Sequence, residues 1–457
     1  MRKFKYLLLT ILSLFILIAT GITGARTSRQ RTEVGPHGLR MINLTEEAKD
    51  IVLEDFDYLA YEIIENAAVQ GVFYRRFGLT LEAYLNEIRD RIYDMEPVES
   101  VTSFLIDESW EEEQTEARYI AADYLISVLF WDLSMDINGL GHFGPQMRDL
   151  YVDMFHAYSI SLYNSSATDF TANIERNLGY LSEPATLWLY DVDPSEFNLN
   201  MDSSDFIGVR EENNITTEYL SDDIAYIHIA SFINNPDFDS EILFPFYEKV
   251  QYFEHLIIDI RGNRGGWGHY VTRNVVAMLI DEPLEFRYAE FSTSGERAQR
   301  AAQYSLYGNI IGATAAEIIP ATEFIEEYKL AYFNEDDLEF LEYAILFHGV
   351  IEPAYDNTPF AGEIWLLIDE ETASASEFLA MLSLYSGFAT VVGEPTAGIT
   401  GVETTFVALP NTGVLFRVDT GSKIDALGRS VEEFGVHPSI LIEPRNDALD
   451  TVLDLIQ

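Results

Sequence analysis

The spacing of apolar residues changes period along the chain, and the changes mark its elements. From Asn43 onward apolar residues recur at helical spacing. Phe56, Leu59, Ala60, Ile63 and Ile64 share one stripe, and Thr45 stands as a cap before Glu46-Glu47. Phe73–Met95 and Thr115–Trp131 repeat the pattern, which predicts a small helical domain over residues 43–150. Short apolar runs among Asn, Asp and Ser follow. Ala185–Tyr190 and Phe206–Val209 are the predicted strands of a small β-containing subdomain over 151–221. From residue 222 fully apolar runs alternate with helical stripes. Ile224–Phe232, Leu256–Ile260, Ile364–Ile368 and Ala389–Val392 are predicted as buried strands, and Ser240–Tyr252, His269 to about Ile280 and Phe378–Leu384 as helices. Thr404–Leu409 and Val414–Asp419 pair as a hairpin around Pro410–Gly413, and Asn446–Ile456 is a closing helix. Pro283–Ala361 is an insertion in which Glu296–Gln303 and Ala315–Glu326 look helical and Phe340–Phe347 fits a strand or a helix. It is expected to cover a cleft or pair subunits into a homo-oligomer. Strands alternating with helices predict an α/β core over 222–457.

Three stretches carry candidate chemistry. In Trp365–Gly398 an apolar strand runs through an acidic turn into Thr372-Ala373-Ser374-Ala375-Ser376-Glu377, where a helix begins. Free N–H groups and the positive end of the helix dipole lie at such a corner. A serine there can meet substrate beside a backbone donor for an oxyanion, or serve only as a cap. In His255–Gly266 a buried strand ends in Asp259, Arg261 and glycines, where backbone can approach a ligand. No Gly-Lys-Ser/Thr follows, so it is not a phosphate loop. His142 sits in a glycine turn, Asn138-Gly139-Leu140-Gly141-His142. His269, just beyond Gly266, is a rival that could face the cleft and bind substrate.

Composition narrows the setting. The chain has no cysteine, so disulfides, thiolate metal sites and a cysteine nucleophile are excluded. Acidic residues outnumber basic ones 76 to 28, a formal charge of -48, which repels nucleic acid and anionic headgroups. With 29 Phe and 26 Tyr the chain is too aromatic to be disordered. Arg2, Lys3 and Lys5 precede the uncharged run Tyr6–Ala25, expected to be a signal peptide or an N-terminal membrane anchor, followed by a linker over 26–42. The expected location is extracytoplasmic, either secreted or anchored.

The nucleophile stretch resembles that of the C-terminal processing (tail-specific) serine peptidases, a family that includes the tricorn core. Thr372–Glu377 and Val391–Gly398 carry the resemblance, and Leu256–Gly266 follows the family's strand-Arg-x-Asn-x-Gly-Gly motif. The resemblance implies an α/β, crotonase-like twisted sheet core preceded by a small helical domain. It implies Ser374 as nucleophile, with Gly265 and Gly266 at the oxyanion hole and the N–H of Ala375 as second donor. Asn263, with Arg261, more readily holds this loop, although Asn263 and His269 both stand as substrate-binding candidates. The family's serine/lysine branch has Lys where this chain has Ile399, so the base must come from elsewhere, or the chain is an inactive relative that binds ligand or peptide. The tricorn-like members resemble this chain at His142, which would be the base, and at Glu432 in Gly428–Pro444, which would orient it. Lys423, in a polar loop, does not match the family lysine. Many relatives carry a peptide-binding PDZ domain, whose Gly-Leu-Gly-Phe-like loop is not seen here. The implied substrate is a peptide or protein, with no metal or other cofactor.

Overall fold

In a computed structural model, residues 43–99, 113–129, 133, 140–146, 178–192, 213–305, 313–400, 404–443 and 446–456 are described. The segments 1–25 and 26–42, the expected strand Phe206–Val209 and Asn138-Gly139 lie outside them. Among the described residues no helix is long and apolar enough to cross a membrane.

The described strands, in chain order, are β1 (Gly144–Pro145), β2 (Ile215–Tyr219), β3 (Ile224–Ile229), β4 (His255–Asp259), β5 (Leu284–Ser292), β6 (Ala313–Pro320) and β7 (Tyr343–Ile351). They continue with β8 (Glu363–Ile368), β9 (Thr390–Gly393), β10 (Thr404–Ala408), β11 (Leu415–Asp419), β12 (Gly421–Ile424) and β13 (Ile440–Leu441). The continuous apolar runs do become buried strands. In β4 and β8, Leu256, Ile258, Leu366 and Ile368 point into one core, while Ile257, Trp365 and Leu367 point into another under the Ala448–Leu455 helix. Both faces of this sheet are covered, which is why its strands do not alternate apolar with polar. Its order is β13-β9-β8-β4-β3-β2, parallel except for the antiparallel edge strand β2.

The single crotonase-like layer expected from the sequence is not what forms. The described strands divide among three sheets: the six-stranded one, an antiparallel β12-β5-β7-β6 sheet, and a β1-β11-β10 sheet. The N-terminal helices do not pack on themselves alone. Val52, Phe56, Leu59, Ile63 and Leu125 share one core with Val407, Val414, Phe416 and Val418 of the β10–β11 hairpin. The insertion is likewise built in, because β5 pairs with β12 and sets Glu290 opposite Lys423.

Local differences have local causes. Ala185–Tyr190 is a helix, not a strand: Pro184 starts it, where a missing N–H costs nothing, and Asp191 in the left-handed conformation ends it. Ala315–Glu326 splits, because Pro320 closes β6 and caps the Ala321–Tyr328 helix. Phe340–Phe347 resolves as β7, beginning at Tyr343. The helix expected from Ser240 begins at Pro236, with the Asn235 side chain accepting from the Asp237 and Phe238 N–H groups. Lys423 is in β12 and buried, not in a polar loop.

Candidate active site

The turn between β8 and the Ala375–Ser386 helix holds Ser374 at φ 56, ψ -121, a conformation that a residue with a side chain rarely adopts. Such strain is on the order of 1–3 kcal/mol and persists only where the surroundings impose it. They do so here through Glu377. Its fully buried carboxylate accepts from the N–H groups of Ser374 (3.0 Å), Gly398 (2.7 Å) and Ile399 (2.8 Å) and from the Thr396 hydroxyl. Burial lifts this carboxyl to about 7, against the pull of Thr396 and the three N–H donors. The Ser374 N–H also donates to the Ile399 carbonyl at 2.9 Å. Ile399, at the family's lysine position, thus fixes the turn through its backbone.

The glycines after β4 lie against this corner. A Cβ on Gly265 would come within 2.7 Å of the Ser374 Cβ and 2.8 Å of the Ala375 nitrogen, and one on Gly266 within 2.2 Å of Phe232 backbone. Only glycine permits that approach. The Gly265 N–H is already given to Asn263 Oδ1 at 2.9 Å. Among the described residues the N–H groups of Gly266 and Ala375 have no hydrogen-bond partner, and Gly266 is exposed. Asn263 is fully buried, with Nδ2 on the Ile229 carbonyl at 3.0 Å, so its side chain is spent on the loop and not turned to a substrate. Arg261 bridges Asp259 and Asp447, tying the loop to the Ala448–Leu455 helix.

His142 comes from the other side. β1 pairs antiparallel with β11, with Gly144 opposite Arg417. Two residues further along, that register sets His142 against Asp419. Gly141 makes room, since a Cβ there would meet Asp419 Oδ2 at 2.7 Å. His142 Nε2 is 3.0 Å from Ser374 Oγ, and Nδ1 is 3.1 Å from Asp419 Oδ2, which also accepts the His142 N–H. The imidazole is 18% exposed, enough to meet a substrate. Burial holds its pKa below the ordinary histidine value, the Arg417 charge adds to this, and Asp419 opposes it. Burial raises the Asp419 carboxyl, but the charge and hydrogen bonds of His142, with Arg417, outweigh burial and hold it low.

Glu432 is not beside His142. Its buried carboxylate accepts from Thr400 Oγ1 (2.7 Å), Ser422 Oγ (2.8 Å) and the Lys423 N–H (3.0 Å). The Lys423 ammonium lies 3.0 Å from Glu290 and 2.8 Å from the Thr400 carbonyl. Glu432 is consumed in clamping β12, and the carboxylate facing the imidazole is Asp419 instead. Asp419 was visible as a charged end to the apolar run Val414–Asp419, a signal that could have marked it. His269 is half-buried beside Trp267, and its ring makes no hydrogen bond among the described residues.

A serine hydroxyl, an imidazole and a carboxylate in line, beside two unspent backbone donors, form an arrangement that serine hydrolases use. Residues 223–442 match Peptidase family S41. The match spans just under half of the chain, and these residues are those of a serine-type peptidase of the tail-specific family, acting on peptide or protein substrates. The same match corrects the fold expectation: the fold is that of the S41 peptidases and not a crotonase-like layer. No curated protein matches the chain. Among solved structures, mature CPAF complexed with lactacystin is 15% identical, with a TM-score of 0.45, covering 90% of this chain and 98% of its own. A lipoprotein from Streptococcus agalactiae is 11% identical, with a TM-score of 0.40, covering 92% and 98%. The photosystem II D1 C-terminal processing protease is 20% identical, with a TM-score of 0.32, covering 51% and 49%. Likenesses this loose carry no weight for function.

Proposed function

We propose that the protein is an exported endopeptidase that cleaves peptide bonds through an acyl-enzyme on Ser374. His142 Nε2 takes the hydroxyl proton as Ser374 Oγ attacks the carbonyl carbon. Asp419 holds Nδ1–H, fixing the tautomer and stabilising the imidazolium. The oxyanion accepts from the N–H groups of Gly266 and Ala375, while Gly265 keeps the loop close to the serine. The amine leaves with the proton from His142, and water, activated by the same imidazole, releases the acid. Glu432 serves the reaction only by holding β12, the strand that follows Asp419.

The observation that carries this reading is His142 standing 3.0 Å from Ser374 Oγ and 3.1 Å from Asp419 Oδ2. Treating the full chain with a fluorophosphonate probe and mapping the adduct by peptide mass tests it. Labelling on Ser374 that disappears in His142→Ala and Asp419→Asn proteins supports the triad. Labelling that survives Asp419→Asn but is lost in Glu432→Gln, with both variants folded, would return the acid's role to Glu432.

A further inference from the structure

Away from Ser374, a cavity of about 650 Å³ opens between the N-terminal helices, the Pro184–Tyr190 helix and the turn of the β10–β11 hairpin. Tyr58, Tyr180 and Trp188 contribute aromatic walls, and Arg118, Arg297 and Glu183 contribute charge. The two arginines differ. Arg297 is spoken for: it bonds Glu62 at 2.7 Å, the Phe406 carbonyl at 3.0 Å and the Tyr58 hydroxyl at 3.0 Å. Arg118 gives only Nε, to the Asn411 carbonyl at 2.8 Å, and its guanidinium carbon lies 3.8 Å over the Trp188 ring. Among the described residues no carboxylate pairs with it, and its terminal nitrogens make no hydrogen bond. Burial lowers its pKa and Asp55 restores only part of the loss, the pattern of a cation short of a counter-charge. In a chain with a formal charge of -48, a guanidinium locked by stacking with its fork left unspent is an unusual feature.

We propose that this cavity binds a monoanionic carboxylate carried on an aromatic group. Arg118 takes the carboxylate through its two terminal nitrogens, and Tyr58, Tyr180 and the edge of Trp188, whose faces hold Arg118 and Tyr119, enclose the ring. A planar fork matches a carboxylate bidentately, and its fixed plane leaves little orientation to be lost on binding. The volume falls within the ordinary range of ligand sites, roughly 300–1,000 Å³. Glu183 lines the cavity as well, and its charge disfavours a second anion on the ligand. The carboxylate can come from a free aromatic acid or from the last residue of a polypeptide.

Calorimetry on the full-length Ser374→Ala protein, which cannot turn ligand over, separates these sources. The probes are 3-phenylpropionate, 3-phenylpropionamide, and an acetylated pentapeptide ending in Phe with a free or amidated terminus. We expect at least one acid to bind saturably, its amide to bind about tenfold or more weakly, and Arg118→Gln to lose a similar factor. Binding by the peptide acid alone assigns the site to a polypeptide end, and binding by phenylpropionate alone assigns it to a small acid. Arg118→Lys keeps the charge without the fork and falls between parent and Arg118→Gln, which serves if the glutamine variant is unfolded. Equal binding of acid and amide, no saturable binding by any probe, or full affinity in folded Arg118→Gln would each overturn the proposal.

Discussion

The site joins two halves that the chain builds in opposite ways. The nucleophile half is local. Ser374, Glu377, Gly398 and Ile399 lie close together in sequence around one strand-turn-helix-strand unit, and Gly265 and Gly266 follow the neighbouring parallel strand β4. The base half is assembled over long range. His142 and Asp419 meet only because β1 is laid antiparallel to β11 on a sheet whose core is shared with the N-terminal helices. Local geometry places Ser374, and strand register places His142 and Asp419. The two halves should therefore fail differently when perturbed.

The largest expected effect is in the nucleophile half. Ser374→Ala should lower kcat by roughly 10⁵–10⁶-fold while leaving the thermal midpoint at or above that of the parent. Alanine keeps the Cβ that makes this φ costly, so any gain in stability comes from removing a half-buried hydroxyl and not from relief of backbone strain. A folded Ser374→Ala protein that keeps measurable turnover would remove the serine from the chemistry and with it the distinction between the halves.

Next is the acid, where sequence and structure part company. Asp419→Asn should cost roughly 10⁴-fold in kcat, because an asparagine there no longer enforces the useful tautomer of His142. Glu432→Gln should act mainly on stability. It weakens bonds to Thr400, Ser422 and the Lys423 N–H inside a buried cluster, at about 1–3 kcal/mol. Measuring kcat and thermal midpoint on both variants separates the roles. A large rate loss with unchanged stability in Glu432→Gln, together with a mild Asp419→Asn, reverses the assignment.

Smaller again is the glycine corner. Gly265→Ala drives a methyl to within 2.6 Å of the Ala373 carbonyl and 2.8 Å of the Ala375 nitrogen, at a φ of +92°. We expect a loss of about 10²–10³-fold in kcat, as when an oxyanion donor is displaced, with little change in KM. A KM rise at constant kcat would instead make this loop a binding element.

How far the sequence foretold this follows the same division. The buried strands, the turn at Ser374 and the glycine loop were legible because each is a contiguous pattern: an apolar run, a helix start, a positive-φ position. The place of Asp419 was not, since nothing adjacent to it in the chain states that His142 lies opposite; only the pairing of β1 with β11 does. Glu432 was expected beside His142 and lies instead among Thr400, Ser422 and Lys423, because a motif position says nothing of which donors surround a carboxylate after folding. The Pro184–Tyr190 helix and the split at Pro320 were missed because short apolar runs fit either period, and proline decided them.

The finest test of the base half is its response to pH. Burial, then the charge of Arg417, holds the His142 pKa below 6.5, with Asp419 opposing. On the proposed mechanism the neutral imidazole is the base, so kcat/KM should rise with pH through a midpoint below the ordinary histidine value. Stability follows the same sign. A histidine whose folded pKa is depressed leaves the unfolded chain binding the proton more readily in the window below 6.5, so its contribution is present above that window and lost as pH falls through it. Arg417→Gln removes a charge that disfavours the imidazolium, and the acid limb should move to higher pH with the plateau little changed. Asp419→Asn removes a charge that favours the imidazolium, and the limb should move to lower pH beneath a much reduced plateau. Glu377, lifted to about 7, titrates nearby, but neither substitution contacts it, so a limb that stays fixed in both variants would belong to Glu377 and not to His142.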